Sequence, residues 1–184
     1  MQVFPRIRSC KGVYGPREDS ELLADAVSRY AFGNMLDLGT GTGIAGITAA
    51  MRGCAVTFAD INPNAIECAK ANASANQVDG KFIVSDMFSG IEGKFDTIAF
   101  NPPYLPSGQS DGAKGDIALD GGVSGRELID IFLSGFKEHV SGRYAVLLLE
   151  SSLNGYESDA NRLGAEIVAT KSMFFEELAV LLIR

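Results

Sequence analysis

The sequence predicts an α/β fold of Rossmann-like type, with a seven-stranded, mostly parallel sheet that ends in an antiparallel C-terminal hairpin. Three observations predict it. Short apolar runs alternate with stretches of helical periodicity along most of the chain, the pattern of a parallel sheet covered on both faces. The first apolar run leads straight into Gly39-Thr40-Gly41-Thr42-Gly43 and a small-residue helix, a strand–turn–helix unit that brings a ligand close to the backbone. The last two apolar runs are joined by a short connection, as in a hairpin. No internal repeat or linker interrupts the 184 residues, of which 46% are hydrophobic, so residues 1–184 read as one domain with one core.

The elements follow in order. Residues 1–15 carry no clear periodicity. Glu18 to Ala31 reads as a helix whose apolar face is Leu22, Leu23, Ala26, Val27 and Tyr30. Met35 to Leu38 is the first strand, and the helix after the glycine turn runs from Ile44 to Arg52, where Gly53 ends it. The second strand, Ala55 to Ala59, is closed by Asp60. Pro63 takes the first position of the next helix with Asn62 as its cap, and that helix reaches about Asn76. Lys81 to Val84 and Phe95 to Phe100 are the third and fourth strands, and Asn101-Pro102-Pro103 stops the latter. A Gly- and Asp-rich loop covers Leu105 to Gly122, a length that is uncommon in a compact domain unless the loop has a function. Ser124 is read as the cap of a helix reaching Val140. Tyr144 to Leu149 is the fifth strand, Tyr156 to Leu163 a helix, and Glu166–Lys171 and Glu177–Ile183 the closing pair.

Composition narrows the function classes. The net charge of −7 and pI near 4.7 are opposite in sign to those of a protein built to grip a phosphate backbone. Arg6, Arg8, Lys11 and Arg17 precede the first acid, Glu18, and leave room for a local basic lip. The three cysteines, Cys10, Cys54 and Cys68, match no metal-ligand spacing, so no metal is expected. Their odd number argues against a disulfide framework and for a reduced, cytoplasmic chain. The N-terminus has no apolar core of a signal peptide, and no apolar run suits a membrane span. The only histidine, His139, is expected to be exposed near a helix end, without a catalytic part.

The glycine turn alone fits two cofactors. Gly41, Gly43 and Gly46 satisfy G-x-G-x-x-G, and Asp60 ends the second strand where a ribose-binding acid belongs, as in a dinucleotide site. Asp37 favours a different ligand. It stands two residues before Gly39, at the mouth of the turn. A carboxylate there repels a diphosphate and attracts the ammonium and sulfonium charges of S-adenosylmethionine, an effect of about 4 kcal/mol at ~4 Å and an effective dielectric of 20. Asp60 would accept both ribose hydroxyls through its two oxygens. Asp86, at the end of the third strand, would accept the adenine amino group, with Met87 packed on the ring; capping a short helix is the other reading of Asp86.

Asn101-Pro102-Pro103-Tyr104 follows the fourth strand at the same edge of the sheet. The two prolines remove two donors and fix the chain path. An amide or exocyclic amino nitrogen is a poor nucleophile because its lone pair is delocalised. The Asn101 side-chain oxygen and the Pro102 carbonyl can hold its two N–H groups, so that the lone pair points at a transferable methyl; positioning of this kind is worth up to ~7–11 kcal/mol. The face of Tyr104 suits developing positive charge. The residues therefore read as an S-adenosylmethionine-dependent N-methyltransferase site. The alternatives are a nucleic-acid N-methylase acting on adenine N6 or guanine N2, a dinucleotide-binding protein, and a non-catalytic docking domain.

These segments resemble the HemK family of protein-(glutamine-N5) methyltransferases, from about Tyr14 to Ile183. The resemblance rests on Pro16-Arg17-Glu18-Asp19-Ser20-Glu21, Leu36-Asp37-Leu38-Gly39-Thr40-Gly41-Thr42-Gly43, Asp60-Ile61-Asn62-Pro63, Phe100 to Tyr104, Gly121 to Glu127, and Glu177-Leu178-Ala179-Val180-Leu181. It implies the class I methyltransferase fold, S-adenosylmethionine as cofactor, and a cofactor site made by Ser20, Asp37, Gly39, Gly41, Gly43, Asp60, Ile61, Asp86, Met87 and Asn101. Asn101, Pro102 and Tyr104 would serve the chemistry. Ser20 stands where the family usually has Thr and keeps the hydroxyl. Without room for the bacterial N-terminal helical domain, the chain looks like the short archaeal and eukaryotic branch. That branch modifies the glutamine of the Gly-Gly-Gln motif in class I release factors and commonly works with a small zinc-binding activator. The family strand order implies that the third strand is a sheet border where such a partner could add a strand.

Overall fold

The computed structural model describes residues 5–104 and 124–184. The loop expected over 105–122, and Gly121, Gly122 and Val123, lie outside the described residues. Among the described residues, five helices, α1 (Glu18–Tyr30), α2 (Ile44–Ala50), α3 (Pro63–Ala75), α4 (Glu127–Gly135) and α5 (Tyr156–Leu163), accompany seven strands: β1 (Asn34–Leu38), β2 (Ala55–Asp60), β3 (Lys81–Val84), β4 (Phe95–Phe100), β5 (Val140–Ser151), β6 (Glu166–Ser172) and β7 (Glu177–Ile183).

The sheet order is β3-β2-β1-β4-β5-β7-β6. β3, β2, β1, β4 and β5 are parallel, and β7 lies antiparallel between β5 and β6. The chain thus returns to the middle of the sheet after β3, and the β1–β4 boundary is the switch point where ligands bind in such sheets. Asp37, Asp60 and Asn101 come from the carboxyl ends of β1, β2 and β4, on one edge. The core runs along the central strands, where Met35, Leu36, Ile98, Val146, Leu147, Leu148, Val180 and Leu181 are fully buried. Strands covered on both faces read as unbroken apolar runs, which is why Tyr144 to Leu149 and Glu177 to Ile183 were legible.

Asn62 caps α3 as expected, its side chain accepting from the Asn64 N–H, with Pro63 at the first helical position. α4 differs from expectation. Its N-cap is Arg126, not Ser124, whose hydroxyl instead accepts from the Arg126 N–H at 3.3 Å. The helix ends at Gly135 and tightens into a 3-10 turn over Phe136–His139. Ile129, Phe132 and Phe136 keep helical spacing through the change and stay buried, so the apolar pattern hid it. Val140 already belongs to β5, opposite Phe95, although the polar Ser141-Gly142-Arg143 follows it. His139 is half-buried rather than exposed, stacked on Phe88 at 4.5 Å between ring centroids.

From residue 5 to α1 the N-terminal segment forms no helix or strand, as its lack of periodicity implies. It is tied along α3 by side chains that imitate a strand partner. Asn76 accepts the Arg6 N–H and donates to the Arg6 carbonyl, both at 2.8 Å, and Asn72 treats Arg8 alike at 3.0 Å. Between these ties and the cleft, Cys10 and Cys68 form a disulfide, and Cys54 is free. An odd cysteine count does not prevent one pair when the two residues are carried to adjacent segments.

Candidate active site

Beyond the carboxyl ends of β1, β2, β3 and β4 lies a cleft of about 590 Å³, within the ~300–1,000 Å³ range of small-ligand sites. It is lined by Ser20, Asp37, Gly39, Gly41, Asp60, Ile61, Asp86, Met87, Asn101, Pro102 and Tyr104, so every sequence-predicted site residue except Gly43 lines it directly. Gly43 stands one step behind, at the N-cap of α2, with φ of 85°. A Cβ there would meet the Ala69 Cβ at 3.1 Å, so glycine allows α2 and α3 to approach.

Asp37 is buried at the end of β1. Its Oδ2 accepts from the Thr40 hydroxyl at 2.6 Å and from the Gly46 N–H at 2.9 Å. Burial pushes its pKa up to about 7, against the lowering effect of those two bonds. A carboxyl with so costly an ionised form favours a cation beside it. Gly46 has no room to be otherwise, because a Cβ would lie 2.4 Å from the Phe58 ring and 2.8 Å from Asp37 Oδ2.

Asp60 folds the glycine turn over the cleft. Its Oδ2 accepts from the Gly41 N–H and its Oδ1 from the Asn62 N–H, each at 2.9 Å. Each oxygen retains a second lone pair for a ligand hydroxyl. Burial raises its pKa as well. Beside it, Ile61 is 60% exposed, an apolar side chain at the cleft lip in need of a flat apolar partner. Asp86 is exposed in a turn rather than at a helix start, its carbonyl accepting from the Ser89 N–H. Met87 holds φ of 44°, an uncommon conformation for a side-chain-bearing residue and one concentrated at ligand sites. Together these groups fit the ribose, adenine and cationic end expected of S-adenosylmethionine.

Asn101 carries the decisive geometry. Its Nδ2 donates to Asp19 Oδ2 at 3.0 Å. A carboxylate only accepts, so the bond fixes which way the amide faces. Its Oδ1 is then turned away, buried and without a hydrogen-bond partner among the described residues. A buried acceptor left open costs ~1–3 kcal/mol unless something donates to it. Tyr104 is buried against the same cleft, and burial, with Asp19 and Glu176 nearby, raises its pKa.

Asp19 is a site residue that the sequence reading does not single out. It is buried on α1, where its Oδ1 also accepts from the Ser20 N–H at 2.7 Å and the Ser20 hydroxyl at 3.2 Å. The signal was present, since Asp19 lies four residues before Leu23, on the apolar face of the helix. Val13, Tyr14 and Leu128 also line the cleft without having been foreseen. Tyr14 precedes any periodic element, and the Arg17 guanidinium lies 5.1 Å from its ring centre. His139 does not reach the cleft. Among the described residues, no group of three or more His, Cys, Asp or Glu could hold a metal, and no helix is long and apolar enough to cross a membrane.

Comparison with known proteins places this architecture. Residues 6–115 match the family model described as methyltransferase small domain. A Methanocaldococcus jannaschii protein, provisionally named a protein N5-glutamine methyltransferase, is 38% identical over 177 residues, covering 92% of this chain and 90% of its own. The mouse methyltransferase HEMK2 is 33% identical, covering 77% of this chain and 74% of its own. Among solved structures, the E. cuniculi Mtq2–Trm112 complex, responsible for methylation of the eRF1 translation termination factor, matches with a TM-score of 0.72 and 27% identity over 93% of this chain and 97% of that one. The chain belongs to the methyltransferase small domain family and, within it, to the HemK family of protein-glutamine N5-methyltransferases.

Proposed function

We propose that this enzyme transfers a methyl group from S-adenosylmethionine to the side-chain amide nitrogen of the Gly-Gly-Gln glutamine in a class I release factor. The observation that carries the reading is the Asn101 amide, oriented by Asp19 with a buried oxygen left to accept from a substrate. S-Adenosylmethionine, held by Asp37, Asp60, Ile61, Asp86 and Met87 with Ser20 and the turn Gly39, Gly41 and Gly43, supplies an electrophilic methyl on a sulfonium. Asn101 Oδ1 and the Pro102 carbonyl each take one N–H of the glutamine –NH₂. That would fix the nitrogen lone pair on the methyl axis; the C–S bond would break as the N–C bond forms, the sulfonium would leave as a neutral thioether, and the alkylated nitrogen would give up one proton to solvent. Tyr104 lies against the planar amide and excludes water. No strong base is required before attack, and none of the cleft residues is asked to be one.

Residues 1–184 act in this reading as one catalytic domain in the cytoplasm, where translation is terminated. The partner is a small zinc-binding activator of the Trm112 kind, adding a strand to β3. β3 is a sheet edge, Val84 is 54% exposed on it, and Phe82 covers Phe58 at 4.8 Å between ring centroids. An unpaired edge with apolar side chains needs a cover. The test is methyl incorporation from labelled cofactor into a release factor, set against RNA and DNA, with and without the activator. Label in protein, with β3 amides protected from hydrogen exchange by the activator, is the expected result. Label in nucleic acid would overturn the substrate assignment, and unprotected β3 amides the placement of the partner.

A further inference from the structure

The Asn-Pro-Pro-Tyr corner ends in a backbone carbonyl that something must hold. That group is the side chain of Asn154, in the turn between β5 and α5. Asn154 is buried, and its Nδ2 donates to the Tyr104 carbonyl at 2.9 Å and to the Gly125 carbonyl at 3.1 Å. One amide nitrogen has two hydrogens, and both are used. Two carbonyl dipoles that converge on one point repel each other unless a donor stands between them, so an apolar residue of similar size could not replace the amide. The acceptors also fix the orientation of the amide, leaving its Oδ1 buried without a partner among the described residues.

The tie is reciprocal. Arg126, next to Gly125, donates through Nη1 to the Asn154 carbonyl at 2.5 Å. Its Nη2 is held by Asp159 at 2.7 Å and Asp130 at 2.8 Å, and Arg162 contacts Asp159 at 2.6 Å. The fully buried Glu150, at the end of β5, lies 3.8 Å from Arg126 Nη1. Asn154 is also set by its own turn, its N–H donating to the Ser151 carbonyl at 2.9 Å. The end of β4, the entry to α4 and the turn after β5 therefore converge on one side chain, anchored by a charged network.

We infer that Asn154 is a positioning residue for methyl transfer: by holding the Tyr104 carbonyl it fixes the path of Asn101-Pro102-Pro103-Tyr104 and so the alignment of the target amide. The inference rests on the proposed glutamine methylation. It goes beyond that reading in assigning a requirement to a residue that is absent from the cleft lining.

Asn154→Ala and the isosteric Asn154→Asp separate hydrogen bonding from packing. Both should lower kcat by about tenfold or more, since misplacement of a reacting group by an ångström costs up to ~10². Cofactor affinity should stay within about threefold, because Asp37 and Asp60 lie on other elements, and release-factor KM should change less than kcat. Incorporated 3-fluorotyrosine, with the Tyr104 signal assigned by Tyr104→Phe, should show that resonance broadened or shifted in both variants. In the unsubstituted protein, should neither variant fold, the Asn154 side-chain –NH₂ should exchange slowly with solvent and show through-bond coupling to the Tyr104 and Gly125 carbonyls. An unchanged kcat in Asn154→Ala, an unperturbed Tyr104 resonance, or rapid exchange of that –NH₂ would each overturn the inference. Failure of the unsubstituted enzyme to modify the release factor would instead overturn the functional reading, and the two spectroscopic arms would still test the clasp.

Discussion

The contact between Asn101 and Asp19 makes Asn101→Asp a sharper probe than truncation. The substitution keeps an acceptor toward the substrate but sets a second carboxylate oxygen where Nδ2 now lies, 3.0 Å from Asp19 Oδ2. Two unit charges at that distance repel by about 5–6 kcal/mol at an effective dielectric of 20, so the pair binds a shared proton rather than ionising fully. The pKa of the pair is raised, so at pH 8 the ionised pair pushes the corner out of line and turnover falls by roughly 10² or more. As pH drops, the shared proton restores a hydrogen bond, and the ratio of variant to unsubstituted activity rises. Exchanging the two groups, in the double variant Asp19→Asn with Asn101→Asp, puts a donor back between the positions. An amide at position 19 can still accept from the Ser20 N–H, so the double variant should outperform Asn101→Asp alone at pH 8. Single-turnover transfer to a release factor, with cofactor affinity measured in parallel, is the assay. Asn101→Ala should lose transfer outright with affinity within a few fold. Near-normal turnover in Asn101→Ala, or an Asn101→Asp defect independent of pH and of Asp19, would exclude the role assigned to Asn101.

Two further outcomes follow from the acids of the cleft. Asp60→Ala should weaken S-adenosylmethionine binding by at least about tenfold, since charge-assisted hydrogen bonds are worth roughly 1.5–3 kcal/mol; unchanged affinity by calorimetry would move the ribose elsewhere. Asp37, held near pKa 7 by burial, binds its proton more tightly folded than unfolded, so its contribution favours the folded state at low pH and is lost as pH rises from about 4 through 7. A bound cation reverses the balance. Cofactor binding near pH 6.5 should therefore release protons, seen as a dependence of binding enthalpy on buffer, and Asp37→Asn should abolish the release. Buffer-independent enthalpy in the unsubstituted protein would remove the cation from Asp37.

Much of this was legible because local signals and tertiary structure agree. Asn62 and Pro63 mark the start of α3 whatever packs on it, and the apolar runs of β4 and β7 gave the structure's own limits. The acids at the ends of β1 and β2 were legible because the parallel sheet fixes where strand ends lie. What escaped was set by contacts between distant segments. Cys68 and Asn72 on α3 and Asn76 at its C-cap recur every four residues on one face, a polar stripe that could have been read as a docking track. What docks there, however, is an aperiodic N-terminal segment, and only the folded chain brings Cys10 to Cys68. Asn154 sits in a turn rich in polar residues where its amide looked ordinary. Its value comes from two carbonyls contributed 50 and 29 residues away. Asp19 was the more readable omission, a carboxylate in phase with the buried face of α1.

In the proposed mechanism the open acceptor of Asn101 receives the glutamine amide of the Gly-Gly-Gln motif. Mass mapping of a release factor after incubation with enzyme and S-adenosylmethionine tests it most directly. A single added methyl is expected on the side-chain nitrogen of that glutamine, and none when Asn101→Ala replaces the enzyme. A methyl on another residue, on carbon or oxygen, or on the same glutamine with the Asn101→Ala enzyme would contradict it.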